Sequence, residues 1–215
     1  MQIYIDSASI DEIRQAHQMG VLDGVTTNPS LIAKEKVPYE KRLAEICEVV
    51  RGPVSAEVVS TEFDGMMRES VRLRALAPNI VVKLPCTPDG LRACKAISED
   101  GGRVNMTLCF QPLQALLVAK AGAFLVSPFI GRIDDIAEDG MDLIHKVRTI
   151  YDNYGFATKL LAASVRHPKH LVDCALAGAD VATVPLKVIQ DMLRHPLTDS
   201  GVEKFVADYR KAFGQ

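Results

Sequence analysis

The chemistry of this chain is most legible at one lysine. Lys83 stands near the end of IVVKLP at 80–85, an apolar, β-branched run that reads as a buried strand. Burying an ammonium ion is costly unless it is paired with a carboxylate or gives up its proton. A lysine that gives up its proton is an amine nucleophile, able to form a Schiff base with a carbonyl. The competing reading is a lysine neutralised by a buried carboxylate or snorkelling from a strand end. Other polar residues sit in comparable places. Asp6 ends IYID, Asn28 ends GVTTN, and Glu57 lies inside SAEVVS. Thr107, Ser127 and Ser164 fall late in three further apolar runs, Arg132 follows one of them, and Arg166 ends another.

If those run ends meet, one mouth holds an amine, two carboxylates, hydroxyls, an amide and two guanidiniums. That inventory suits carbon–carbon bond cleavage through an iminium. The amine attacks a ketose carbonyl, and a carboxylate takes the proton of the hydroxyl whose carbon becomes an aldehyde. Arginines suit a phosphate at the far end of the substrate, through charge-assisted hydrogen bonds. Each residue also has a structural reading. Asp6 could cap a helix, Asn28 could form a turn before Pro29, and Glu57 could serve only as the ion partner of Lys83. Thr107 and Ser127 could bond backbone, and Arg132 could pair with Asp134 or Asp135 at the surface. Cys86 next to the strand end reads as a small hydrophobe rather than a nucleophile. His167 and His170 form HxxH, but no carboxylate or cysteine pattern completes a metal site, and no cofactor motif is seen.

The elements that must position these residues follow from periodicity. Eight short apolar runs, at 3–6, 24–28, 55–60, 80–85, 103–109, 123–129, 159–166 and 180–185, alternate with amphipathic stretches. Ser9 with Glu12 predicts a capping box, and Thr87 before Pro88 predicts an N-cap with proline at the first helical position. Gly20, Gly102, Gly122 and Gly178 read as helix stops. Val202, Phe205, Val206 and Tyr209 give helical spacing over 199–213. The alternation predicts one α/β domain over 1–215, a (β/α)₈ barrel with an additional C-terminal helix. An open doubly wound sheet is the alternative, but the first strand lacks a GxGxxG turn.

Composition narrows the class. The chain has 215 residues, 48% of them hydrophobic, and a net charge of −2, which gives no electrostatic reason to bind nucleic acid or anionic membranes. No run approaches the length of a membrane span, and acidic residues come too early in MQIYIDSASIDEI for a signal peptide. Five scattered cysteines without a CxxC suit a reducing cytoplasm.

The motifs GVTTNPSLI at 24–32, VVKLPCTPDGL at 81–91, VNMTLCF at 104–110, SPFIGRIDD at 127–135 and AASVRHP at 162–168 resemble those of the small microbial transaldolases. The likeness covers essentially the whole chain and extends, more distantly, to fructose-6-phosphate aldolases. The resemblance implies a metal-free class I transferase of the pentose phosphate pathway. Such enzymes move a dihydroxyacetone unit from sedoheptulose 7-phosphate to glyceraldehyde 3-phosphate. It implies Lys83 as the Schiff-base lysine, Asp6 as acid/base, and Glu57 with Thr107 on the catalytic water. Asn28 and Ser127 would bind the dihydroxyacetone moiety, and Arg132, Ser164 and Arg166 the phosphate. Glu57 and Phe129 stand where the aldolase branch typically has glutamine and tyrosine. The resemblance also implies a homo-oligomer, a pentamer or decamer. The alternative within the family is a fructose-6-phosphate aldolase; outside it stand a non-catalytic sugar-phosphate-binding barrel, which would need the arginines but not Lys83 or Glu57, and a structural barrel, which would need neither.

Overall fold

The computed structural model describes residues 1–214, and Gln215, the end of the expected 1–215 domain, lies outside the described residues. Eight parallel strands close into a barrel in chain order. They are β1 (Gln2–Asp6), β2 (Gly24–Thr26), β3 (Val54–Glu57), β4 (Ile80–Pro85), β5 (Val104–Cys109), β6 (Leu125–Pro128), β7 (Lys159–Ala162) and β8 (Val181–Val184). Helices follow every strand, and β8 pairs with β1 to complete the ring. The fold is the expected (β/α)₈ barrel.

Alternate residues of each strand face opposite sides of the sheet. One set joins the main apolar core between sheet and helices: Ile5, Val25, Val54, Val82, Met106 and Val126 are among its fully buried members. The other set faces the barrel interior. Low in the interior, Tyr4, Leu125, Leu161 and Val181 form a separate apolar plug. Above it the inward residues turn polar. Thr26, Ser55, Lys83, Asn105, Ser127 and Thr183 are all buried. The main core therefore holds the helices on, while the upper interior is left to polar side chains.

Helix boundaries follow local chemistry, with three departures from the sequence reading. Thr87 caps the helix Pro88–Glu99 as expected, its side chain accepting from Gly90 N–H. Such a cap is typically worth about 1 kcal/mol. Ser9 caps Ile10–Gln18 by accepting from Glu12 N–H, but the reciprocal half of the capping box is redirected. Ser7 Oγ takes the Glu12 carboxylate at 2.5 Å, and Ser9 N–H turns to Ser7 Oγ. The left-handed stop after Pro88–Glu99 is Gly101, with φ 75°, not Gly102. The last helix spans Pro196–Phe213, three residues longer at its start than the apolar spacing marked, because His195 caps it and Pro196 opens it. No helix among the described residues is long and apolar enough to cross a membrane.

Candidate active site

A cavity of about 440 Å³ opens at the C-terminal ends of the strands. Asp6, Asn28, Glu57, Lys83, Thr107, Ser127, Phe129, Arg132 and Ser164 all line it. Nine of the ten residues singled out from the sequence thus meet in one place.

Lys83 is the centre of the arrangement. In the β3–β4 register Lys83 lies directly beside Glu57, so two inward side chains meet across one ladder rung. Its Nζ is 2.9 Å from Glu57 Oε2 and donates to the Thr27 carbonyl at 3.0 Å. Both partners are largely buried, with 7% and 16% of the side chains exposed. Glu57 is held from behind, where the Tyr39 hydroxyl donates to its backbone carbonyl at 2.6 Å. The structural reading of Lys83 is therefore met, since the lysine has a carboxylate partner, and the pair faces the cavity.

Asp6 ends β1 beside Thr26 of β2. Thr26 Oγ1 donates to Asp6 Oδ1 at 2.7 Å. Burial pushes the Asp6 carboxyl above the usual carboxylate range, opposed by the Thr26 hydrogen bond and the charge of Lys83. A carboxyl with raised proton affinity inside a cleft is suited to exchanging protons with a substrate hydroxyl.

The hydroxyl and amide groups are equally ordered. Ser127 Oγ donates to Asn105 Oδ1 at 2.6 Å, and Asn105 Nδ2 donates to Ser55 Oγ at 3.1 Å. Thr107 Oγ1 is buried without a hydrogen-bond partner among the described residues. A buried hydroxyl left in that state costs roughly 1–3 kcal/mol, so its donor and acceptor are suited to a group held in the cavity. Asn28 does two jobs: its side chain caps the helix Pro29–Lys34 by accepting from Leu31 N–H at 2.9 Å, and it lines the cavity. The amide N–H groups remain to donate.

Two residues of the mouth have backbones in the left-handed region, Leu108 with φ 56° and Ser164 with φ 59°. Leu108 sits where the β5–β6 register shifts between Met106 and Cys109. The shift puts Leu108 on the cavity and returns Cys109 to the outer core. Such conformations cost about 1–3 kcal/mol each in a non-glycine residue and gather at functional sites. Ser164 O accepts from Gly131 N–H at 3.2 Å, and a Cβ on Gly131 would stand 2.4 Å from that oxygen. The glycine is what lets the segment after β6 close on the end of β7.

The cationic side departs from the expectation. Arg132 lines the cavity, its guanidinium 4.9 Å from the centre of the Phe129 ring. Arg166 does not line it. Its guanidinium forks onto Asp135 at the half-exposed rim, which holds the Asp135 carboxyl below its usual range. The surface ion pair considered for Arg132 is made by Arg166 instead. His167 caps Pro168–Leu176 by accepting from His170 N–H, and His170 Nε2 meets Asp134 at 3.2 Å, so HxxH serves local structure.

Sequence reasoning missed Thr26, Asn105, Thr183 and Lys34. The first three are inward polar residues one or two positions from noted ones or in the last strand, so period-two spacing was an available signal. Lys34 ends a six-residue helix and lines the cavity. Its place at the mouth follows from how that helix lies, which the sequence does not announce.

A 3-hexulose-6-phosphate synthase from Salmonella typhimurium shares the fold, with a TM-score of 0.67 over 89% of this chain and 93% of that one, at 17% identity. A probable transaldolase of Hyphomonas neptunium is 57% identical over 99% of this chain and 98% of its own length. Those of Desulfatibacillum aliphaticivorans and Petrotoga mobilis are 56% and 52% identical, over 99% and 98% of this chain and 99% and 96% of their own. The family model for transaldolase/fructose-6-phosphate aldolase matches residues 3–215. The chain belongs to the transaldolase/fructose-6-phosphate aldolase family.

Proposed function

We propose that this transaldolase-family enzyme transfers a dihydroxyacetone unit between sugar phosphates through a Schiff base on Lys83. The donor and acceptor we assign are sedoheptulose 7-phosphate and glyceraldehyde 3-phosphate, giving erythrose 4-phosphate and fructose 6-phosphate in the pentose phosphate pathway. The observation that carries the reading is the buried Lys83–Glu57 pair facing a cavity that also holds Asp6. For attack, Lys83 must lose a proton, and the Glu57 carboxylate at 2.9 Å is the acceptor within reach. The amine adds to the ketose C2 carbonyl, and loss of water gives the iminium. Asp6 then takes the proton of the C4 hydroxyl. The C3–C4 bond breaks, its electron pair passes into the iminium as an enamine, and C4 leaves as an aldehyde. The acceptor aldehyde enters and the steps reverse. Hydrolysis of the new iminium consumes a water molecule, which Glu57 and the Thr107 hydroxyl would hold, and frees the ketose and the Lys83 amine. The iminium is itself the electron sink, so the chemistry calls for no metal or organic cofactor.

Glu57 and Phe129 favour transfer over simple aldol cleavage. Phe129 offers no phenolic proton at the cavity wall, so the enamine is left for an acceptor. Arg132 and Ser164 would take the substrate phosphate, with Arg166 able to join only by leaving or sharing Asp135. We further propose a cytoplasmic homo-oligomer, a pentamer or decamer. The helix Pro196–Phe213 buries no side chain, while Leu197, Phe205 and Phe213 are 70–75% exposed. A second copy of the chain is the natural cover for such a face.

The test is borohydride reduction with fructose 6-phosphate, followed by peptide mapping. The expected result is a sugar adduct on Lys83, absent in Lys83→Arg, which stays protonated and cannot attack. No adduct, or an adduct on another lysine, overturns the reading.

A further inference from the structure

Thr183 takes no part in the chemistry described so far, yet it is tied to Asp6 through a single hydroxyl. It lies in β8, its side chain lines the cavity, and it is 4% exposed. Thr26 Oγ1, on a residue 2% exposed, is 2.7 Å from Asp6 Oδ1 and 2.6 Å from Thr183 Oγ1. We propose that Thr183 is a positioning residue for the Asp6 carboxylate, acting through Thr26 by fixing the direction in which the Thr26 proton points.

The argument is one of counting protons. A threonine hydroxyl has one proton to donate and lone pairs to accept. While Asp6 is ionised it can only accept, so the Thr26 proton lies on the short contact to Asp6. The equally short contact between the two threonines then requires Thr183 to donate to Thr26. The chain runs from Thr183 through Thr26 to Asp6, and each bond polarises the next. When Asp6 takes the proton of the substrate hydroxyl, the neutral carboxyl becomes a donor. Both hydroxyls can then rotate, and the chain runs from Asp6 through Thr26 to Thr183. No heavy atom moves, and the Thr26 hydroxyl keeps both of its hydrogen bonds in either protonation state.

The surroundings leave little to substitute for Thr183. Asp6, Thr26 and Thr183 come from three adjacent strands, β1, β2 and β8. The charged groups that share their cavity are Lys83 and Glu57, paired with each other, and Lys34 and Arg132. Of these, Lys83 acts on Asp6 through its charge. Removing the Thr183 hydroxyl therefore weakens the donor on ionised Asp6 and leaves the other charges in place. Burial already raises the proton affinity of Asp6, and loss of the relay raises it further.

This inference rests on the reading of Asp6 as the acid/base, so the experiment separates the two. The pH dependence of kcat/KM for transfer from fructose 6-phosphate to erythrose 4-phosphate is measured for wild type, Thr183→Val and Thr183→Ser. Thr183→Val keeps the shape and removes the hydroxyl. Its acidic limb should move to higher pH, and its plateau should fall by up to about tenfold, the worth of one hydrogen bond. Thr183→Ser should restore both. Borohydride trapping is run alongside. Trapping by Thr183→Val as in wild type, together with the moved limb, supports the relay. A uniform loss with the limb unmoved makes Thr183 a packing residue and overturns it. Absence of trapping in wild type refutes the Schiff-base reading instead. If Thr183→Val folds poorly, Thr183→Ala, which adds no bulk, is held to the same criterion.

Discussion

Replacing Arg132 and Arg166 one at a time should separate two arginines that the sequence treats as equals. Arg132 lines the cavity, makes no salt bridge among the described residues and sets its guanidinium over the Phe129 ring. A charge-assisted hydrogen bond to phosphate is worth about 1.5–3 kcal/mol, so Arg132→Ala should weaken phosphorylated donors by about 10- to 150-fold. Arg166 starts from a different state. Its guanidinium is committed to Asp135, in a pair about half exposed on both sides. Exposed pairs contribute about 0–1 kcal/mol, and any phosphate contact replaces one partner with another. Arg166→Ala should therefore cost about fivefold or less. The assay is the donor concentration giving half-maximal borohydride trapping, compared for fructose 6-phosphate and fructose. Only the phosphorylated donor should respond to Arg132→Ala. Asp135→Asn, which releases Arg166, should tighten the phosphorylated donor. Equal losses on both donors, or a larger loss from Arg166→Ala than from Arg132→Ala, would refute the reasoning.

Three further outcomes are expected. Phe129→Tyr should raise release of free dihydroxyacetone from fructose 6-phosphate relative to transfer to erythrose 4-phosphate, and an unchanged ratio in an active variant removes residue 129 from control of the enamine. Asp6→Asn should abolish cleavage yet raise the melting temperature at neutral pH. Burial lifts the folded Asp6 carboxyl above its ordinary 3.8, so the native state binds more protons than the unfolded one in that window. The stability contributed by this group then falls as pH rises through the folded value, and the ionised form is a net cost at neutrality. The advantage of Asp6→Asn should shrink as pH falls toward 4, and a pH-independent difference contradicts this account. Finally, Phe205→Glu should lower the sedimentation coefficient if the last helix mediates the proposed assembly; an unchanged value frees that helix of any role at an interface.

The barrel was readable in the sequence because every strand but β7 carries β-branched residues and every gap is long enough for a helix. The candidate site was readable for a related reason. Polar residues inside apolar runs are costly, so Lys83, Glu57, Thr107 and Ser127 stand out against their neighbours. What escaped notice was polarity that looks ordinary. Thr183 in DVATVP is one of the commonest strand residues, and only the observation that Val181 and Thr183 share the inner face gives it meaning. Ser7 displaced Ser9 from the Glu12 carboxylate because two serines lay within reach of one acceptor. The commitment of Arg166 to Asp135 depends on how the segment after β6 meets the end of β7, a contact between residues 31 apart in sequence. The left-handed turn at Leu108 has no sequence signal, since leucine is a poor candidate for it.

The two faces of the strands divide the labour of this protein by parity. On β1, Tyr4 and Asp6 look inward while Ile5 looks outward, and the same alternation holds on β3, β6 and β8. Inheritance can therefore act on the two sets almost independently. Drift at outward positions changes how much enzyme a cell accumulates, whereas drift at inward positions above the plug changes what the enzyme does. A saturation library scored for abundance and for turnover should show two interleaved patterns along each strand, out of phase by one residue. β5 is where that rhythm slips, at Leu108, and past that point the two scores should exchange places.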